Sequence, residues 1–355
     1  MAAAHRYTTL DGARGLAAIA VLIFHARVFT GPLQMPSGYL AVDLFFVLSG
    51  FVIADAYRAR FAAGMSWEQF MRLRIVRLYP LYLAGTLIGM ASTAAHLMIT
   101  HRTGVWPGYG FRAASALAMV PNITTIARAG ALFPFNGPAW SLFFELAANA
   151  AYAAMFTRLN RAVLFGFVLL AAGALIWIAV SFGTLSLGND WDKFVGGLAR
   201  VAFSFFVGVL VHHYRGDRAS ARAATVLPFA LLLVFAARPG HRVLFDLACV
   251  LLLFPAFVLV AARVEPGPAV TRLFARMGRY SYAIYAIHAP IISAVITLLI
   301  LSGKRASALL PLFALATFAA ILVLAAVLSD YVDPWARARI SRILAKNTSA
   351  DRKTI

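Results

Sequence analysis

The run GARGLAAIAVLIFHARVF, residues 12–29, decides how this chain is read. It approaches the roughly 20 apolar residues needed to cross a bilayer, yet it holds Arg14 and His25. At about 100° per residue, the step from Arg14 to His25 comes to about three turns plus 20°. On a helix both side chains therefore leave one face, about 16 Å apart along the axis. Ionisable groups inside a span are costly and face a protein interior or a wet cavity, which makes each a candidate functional residue. The competing reading is an arginine snorkelling at one end and an unrelated histidine near the other.

The rest of the chain has the same character. Its 355 residues are 62% hydrophobic and 13% charged, with a mean hydropathy of +0.81. Soluble domains carry about a quarter charged residues, so an integral membrane protein is expected. Apolar runs of spanning length fall near 12–29, 39–57, 78–100, 138–157, 162–183, 195–213, 223–237, 243–262, 280–301 and 306–328. Lipid offers no partners to open sheet edges, so the expected fold class is all-α, a polytopic transmembrane helical bundle of about ten spans. Residues 1–335 read as the transmembrane domain and 336–355 as a short basic cytoplasmic tail, with no appended soluble domain and no internal repeat. His5 and Arg6 mimic the start of a signal peptide, but no small-x-small cleavage site follows, which predicts an uncleaved first span. In the long connector 101–137, the piece SALAMV is too short to span and suits a re-entrant or interfacial segment.

A formal net charge of +19 would suit nucleic acid. The arginines instead sit in short connectors, and those on the side of Arg6, Arg58, Arg74, Arg158, Arg215, Arg272 and Arg337 outnumber the others more than twofold. That is the positive-inside pattern; it argues against nucleic acid as a partner and favours both termini in the cytoplasm. The single cysteine, Cys249, reads as a packing residue. Neither HExxH nor CxxC occurs, so no metal is expected, and His212 with His213 reads as a solvated helix terminus.

Three further stretches carry unusual polarity. GYLAVDLFFVLSGFVI opens the second span with Asp43, RIVRLYPLY leads into the third with Arg74 and Arg77, and GPAWSLFFELAANAAY opens the fourth with Glu145. An outward first span and inward second and fourth spans would bring His25, Asp43 and Glu145 to similar depth. A histidine beside carboxylates can activate a hydroxyl, since a carboxylate fixes the imidazole tautomer and raises its basicity. The alternative is that Asp43 and Glu145 satisfy backbone or pair with Arg27. Arg74 and Arg77 share one helix edge and suit phosphate groups, or are ordinary positive-inside arginines. His288 falls in mid-span in SYAIYAIHAPI and taken alone reads as a packing histidine.

These stretches together resemble the membrane-bound acyltransferase-3 family, bacterial enzymes that O-acylate cell-surface glycans and other extracytoplasmic acceptors. The family's arginine-x10-histidine pattern falls on Arg14 and His25, its arginine-x-x-arginine on Arg74 and Arg77, and its WSLxxE on Trp140, Ser141, Leu142 and Glu145. Many members carry a second acidic residue after that glutamate, where Leu146 stands here. The resemblance implies a multi-pass protein of the bacterial inner membrane and an acyl-CoA donor, acetyl-CoA first, as substrate with no tightly bound cofactor. The acceptor would be a glycan or other hydroxyl compound. His25, Glu145, Asp43 and Arg14 would be catalytic and Arg74 and Arg77 donor-binding, with His288, Trp140 and Ser141 as further candidates. His25 would act as a base or take the acyl group itself. The rival from another class is a secondary transporter or flippase, whose mark would be an inverted repeat with paired broken spans.

Overall fold

In a computed structural model of the chain, residues 7–27, 29–31, 33–101, 106–217, 219–220, 222–302 and 310–351 are described. The fold is an all-α bundle. Its helices are α1 (Thr8–His25), α2 (Ala41–Ala62), α3 (Trp67–Ile99), α4 (Trp106–Leu117), α5 (Ala139–Met155), α6 (Arg161–Phe182) and α7 (Phe194–His212). Then come α8 (Ala223–Ala236), α9 (Arg242–Ala248), α10 (Phe254–Ala261), α11 (Pro268–Ser302), α12 (Leu310–Val327) and α13 (Asp333–Asp351). A π-helical turn at Cys249–Leu253 joins α9 to α10, and another at Leu328–Val332 joins α12 to α13, so each pair is one rod. Each apolar run read from the sequence contains helix over most of its described residues. Among the described residues, seven stretches are long and apolar enough to cross a membrane, while α8 is shorter. Buried Cys249 packs as expected.

The helices approach closely where side chains are smallest. Without a hydrophobic force between helices in lipid, packing depends on such approach. A Cβ at Gly50 of α2 would collide with the carbonyl of Phe205 on α7, and one at Gly208 with that of Val47, so the two glycines interlock parallel helices. Gly12 and Gly15 likewise seat α1 against Phe274 and Met277 of α11. The start of α1 is sealed by the Glu265 carboxylate, which accepts from the Thr8 amide at 3.1 and 3.3 Å. An anion there also complements the helix dipole.

Helix α4 explains the long connector. The Tyr109 hydroxyl donates to the Met90 carbonyl at 2.7 Å, and Tyr79 donates to Leu117 at 2.8 Å. The helix therefore runs back alongside α3, as a re-entrant segment would, spanning the rise between residues 79 and 90, about 16 Å. The return strand is pinned within the bundle, where the Asn136 side chain donates to the Ala286 carbonyl at 2.9 Å. Helix α5 thus starts inside the bundle rather than at its rim. That displaces Glu145 from the depth expected of it.

Two other expectations change. His212 is buried, not solvated: its Nε2 lies 3.1 Å from the Asp55 carboxylate, which also accepts from the Tyr7 hydroxyl at 3.0 Å. Residues 336–351 lie within α13, so the boundary drawn at 335 falls inside a helix.

Candidate active site

Arg14 and Ser281 meet where α1 and α11 run parallel. The Arg14 guanidinium donates to Asp11 at 2.8 Å, to the Gly278 carbonyl at 2.9 Å and to the Ser281 hydroxyl at 3.1 Å. Three turns on, the same two helices bring His25 and His288 together. Nδ1 of His25 lies 3.0 Å from the Val21 carbonyl and 3.2 Å from Nε2 of His288. Nδ1 of His288 lies 2.8 Å from the Tyr285 carbonyl and 3.1 Å from that of Ile284.

Carbonyl oxygens only accept, so each Nδ1 carries the proton. Nε2 of His288 then accepts from His25, and the exposed ring of His25 is left with a bare Nε2 lone pair. His288 is fully buried at 0% exposure, which fixes it as a scaffold for the neighbouring ring.

The two carboxylates expected beside His25 are elsewhere. Asp43 is held by Arg200 of α7, which donates at 2.7, 3.1 and 3.2 Å and also to the carbonyls of Leu187 and Tyr39 at 2.7 and 2.9 Å. Both are buried, with Trp140 stacked 5.2 Å from the guanidinium. Sequence reasoning missed Arg200, although an arginine inside the run FVGGLARVAFSFF carried the same signal as Arg14. Glu145 accepts from Arg74 at 3.0 Å and from the Ser49 hydroxyl at 2.7 Å. It joins the arginines, not the histidines.

Arg14, Arg74, Arg77 and Glu145 line one cavity of about 170 Å³ between α1, α2, α3, α5 and α11. Its remaining walls are largely apolar, including Phe45, Leu78 and Leu142, with Ser141 and Tyr285 on the polar side. The Ser141 and Tyr285 hydroxyls are 2.6 Å apart, and the Tyr285 ring lies 5.7 Å from that of His288. A second cavity of about 420 Å³ adjoins it and shares Arg14, Arg77 and Gly278. Among the described residues no carboxylate pairs with Arg77, and Nε of Arg74 is buried without a partner. The arrangement offers unspent positive charge and a narrow apolar cavity, with the histidine pair lying behind its Tyr285 wall.

Residues 7–330 match the acyltransferase domain of the Acyl_transf_3 family. The chain is similar to "Protein 2 in picA locus" of Rhizobium radiobacter, 40% identical over 161 residues that make up 42% of this chain and 81% of that protein. It is also similar to acyltransferase MdmB of Streptomyces mycarofaciens, 33% identical over 153 residues, 40% of this chain and 37% of that protein. No solved structure matches.

Proposed function

This chain belongs to the acyltransferase-3 family of membrane acyltransferases, and we propose that it moves an acyl group, acetyl first, from cytoplasmic acyl-CoA to a hydroxyl of an extracytoplasmic or membrane-associated acceptor, a glycan in the first instance. The observation that carries this reading is the bare Nε2 of His25, left basic by the proton on Nδ1 and by its contact with His288. In the transfer that nitrogen takes the acceptor's hydroxyl proton as the oxygen attacks the thioester carbonyl. The carbon–sulfur bond breaks, and the coenzyme A thiolate leaves with the proton that His25 gives up.

The two adjoining cavities support a donor route. Arg77, with no carboxylate partner among the described residues and standing on their shared wall, would hold donor phosphate, and Arg14 beside it would add charge and position. Arg74, balanced by Glu145, would line the passage taken by the pantetheine arm and release its unused Nε to the donor. Asp43 would act at one remove, by holding α2 to α7 through Arg200. The arginine bias supports a cytoplasmic placing of both termini.

Purified protein supplied with radiolabelled acetyl-CoA and a hydroxyl acceptor should release free coenzyme A and label the acceptor. Acceptor carried across vesicles without thioester cleavage would sink the enzyme reading in favour of a transporter.

A further inference from the structure

Beyond the acyl transfer itself lies the larger of the two cavities. Asp11, Arg14, Arg77, Gly278, Arg279, Ser329, Asp333, Pro334 and Arg337 surround it, drawn from α1, α3, α11, the π turn and α13. Four guanidiniums face two carboxylates. Arg337 is oriented by Asp333, to which its Nε donates at 2.8 Å, and Arg279 by Asp330 at 2.8 Å. The Ser329 hydroxyl is buried, 7% exposed, and has no hydrogen-bond partner among the described residues. A buried hydroxyl without a partner costs about 1–3 kcal/mol unless a ligand satisfies it.

We propose that this cavity recognises a phosphomonoester, the 3′-phosphate on the adenosine end of the donor, with Arg279 and Arg337 as its guanidinium donors and Ser329 as a hydroxyl donor. The inference rests on the acyl-CoA reading. Its logic is one of position. The narrow apolar cavity takes a thin, weakly polar chain, so the donor's diphosphate falls at the shared wall of Arg14 and Arg77. What extends from the diphosphate away from the chain is the phosphorylated adenosine, and it meets the residues found only in the larger cavity. Guanidiniums held by carboxylates keep N–H groups in fixed directions, which suits a compact dianion better than freely rotating lysines would. Helix α13 thereby becomes part of the donor site.

The test is displacement of radiolabelled acetyl-CoA from the full chain in phosphatidylcholine nanodiscs, by coenzyme A and by dephospho-coenzyme A. The wild type should prefer coenzyme A by about tenfold or more, the size of one lost charged hydrogen bond. In Arg279→Gln and Arg337→Gln that preference should fall toward unity, with dephospho-coenzyme A affinity held within about twofold. Arg337→Gln strands Asp333, so Asp333→Asn/Arg337→Gln is measured beside it and should show the same loss. Recovery of the preference in the double variant would reduce Arg337 to a structural partner and overturn the assignment. Equal wild-type affinity for the two compounds overturns it while leaving the donor reading intact. No displacement by either overturns both. Competition from added phosphatidylglycerol that abolishes the preference would assign the cavity to a lipid headgroup, also against the proposal.

Discussion

Nδ1 of His25 and Nε2 of His288 lie 3.2 Å apart, close enough for the buried ring to set the tautomer of the exposed one. His25→Ala should therefore abolish transfer, a loss of about 10²–10⁴-fold for a positioned base, with membrane insertion intact. His288→Ala should lower kcat by about 10–100-fold with the donor KM unchanged, because it leaves the base in place but unlocks its ring. A donor KM that rises with kcat unchanged in His288→Ala would move that residue to donor binding.

Asp43 and Arg200 form a buried pair, and removing one partner strands a charge. Asp43→Ala should cost about 3–5 kcal/mol of stability, whereas Asp43→Leu/Arg200→Met should recover much of it. Thermal unfolding in detergent reads the difference. A fully stable but inactive Asp43→Ala protein would restore this carboxylate to a direct chemical role.

Glu145 and Arg74 share one hydrogen bond, so they should fail together. Glu145→Gln should be strongly impaired, and Glu145→Gln/Arg74→Gln little worse than either single variant, with a coupling of about 1–3 kcal/mol. Leu146→Glu should not rescue it, since a charge one residue on points elsewhere around the helix. Additive losses in kcat/KM would uncouple the pair.

Arg77→Gln should raise the donor KM, by about 1.5–3 kcal/mol in apparent affinity, with little change in kcat. The opposite split, a fallen kcat at constant KM, would take Arg77 away from the donor phosphates.

Orientation has its own check. In a Cys249→Ala background, a cysteine replacing Arg60 should resist a membrane-impermeant thiol reagent in intact cells, and one replacing Gly240 should react. Reversed labelling would invert the bundle.

Much of this arrangement was legible in the chain. Hydropathy placed the apolar helices, though not α4 or α13, because lipid leaves the backbone one economical solution. The facing of Arg14 and His25 also followed from spacing alone, since both lie on α1. What did not follow was depth across different helices. Glu145 was expected beside His25 on the assumption that α5 begins at the rim, and only the return of α4 along α3 reveals that it starts inside. Asp43 was misjudged for a related reason: its partner Arg200 lies 157 residues away, beyond the reach of any local pattern. The cavity wall formed by α13 was hidden because a basic, polar stretch carries the composition of a tail. Arg337 lines that cavity together with Arg77 and Arg279.

The i,i+3 pairing of Asp11 with Arg14 bears on how the protein is made. Arg14 finds its final acceptor, the Gly278 carbonyl, 264 residues further along the chain. During synthesis the first helix must therefore meet the bilayer long before α11 exists. Asp11, 2.8 Å away on the same helix, supplies a local counter-ion from the outset. The nascent segment can enter lipid as an internally neutralised unit and exchange water for its permanent neighbours when α11 arrives.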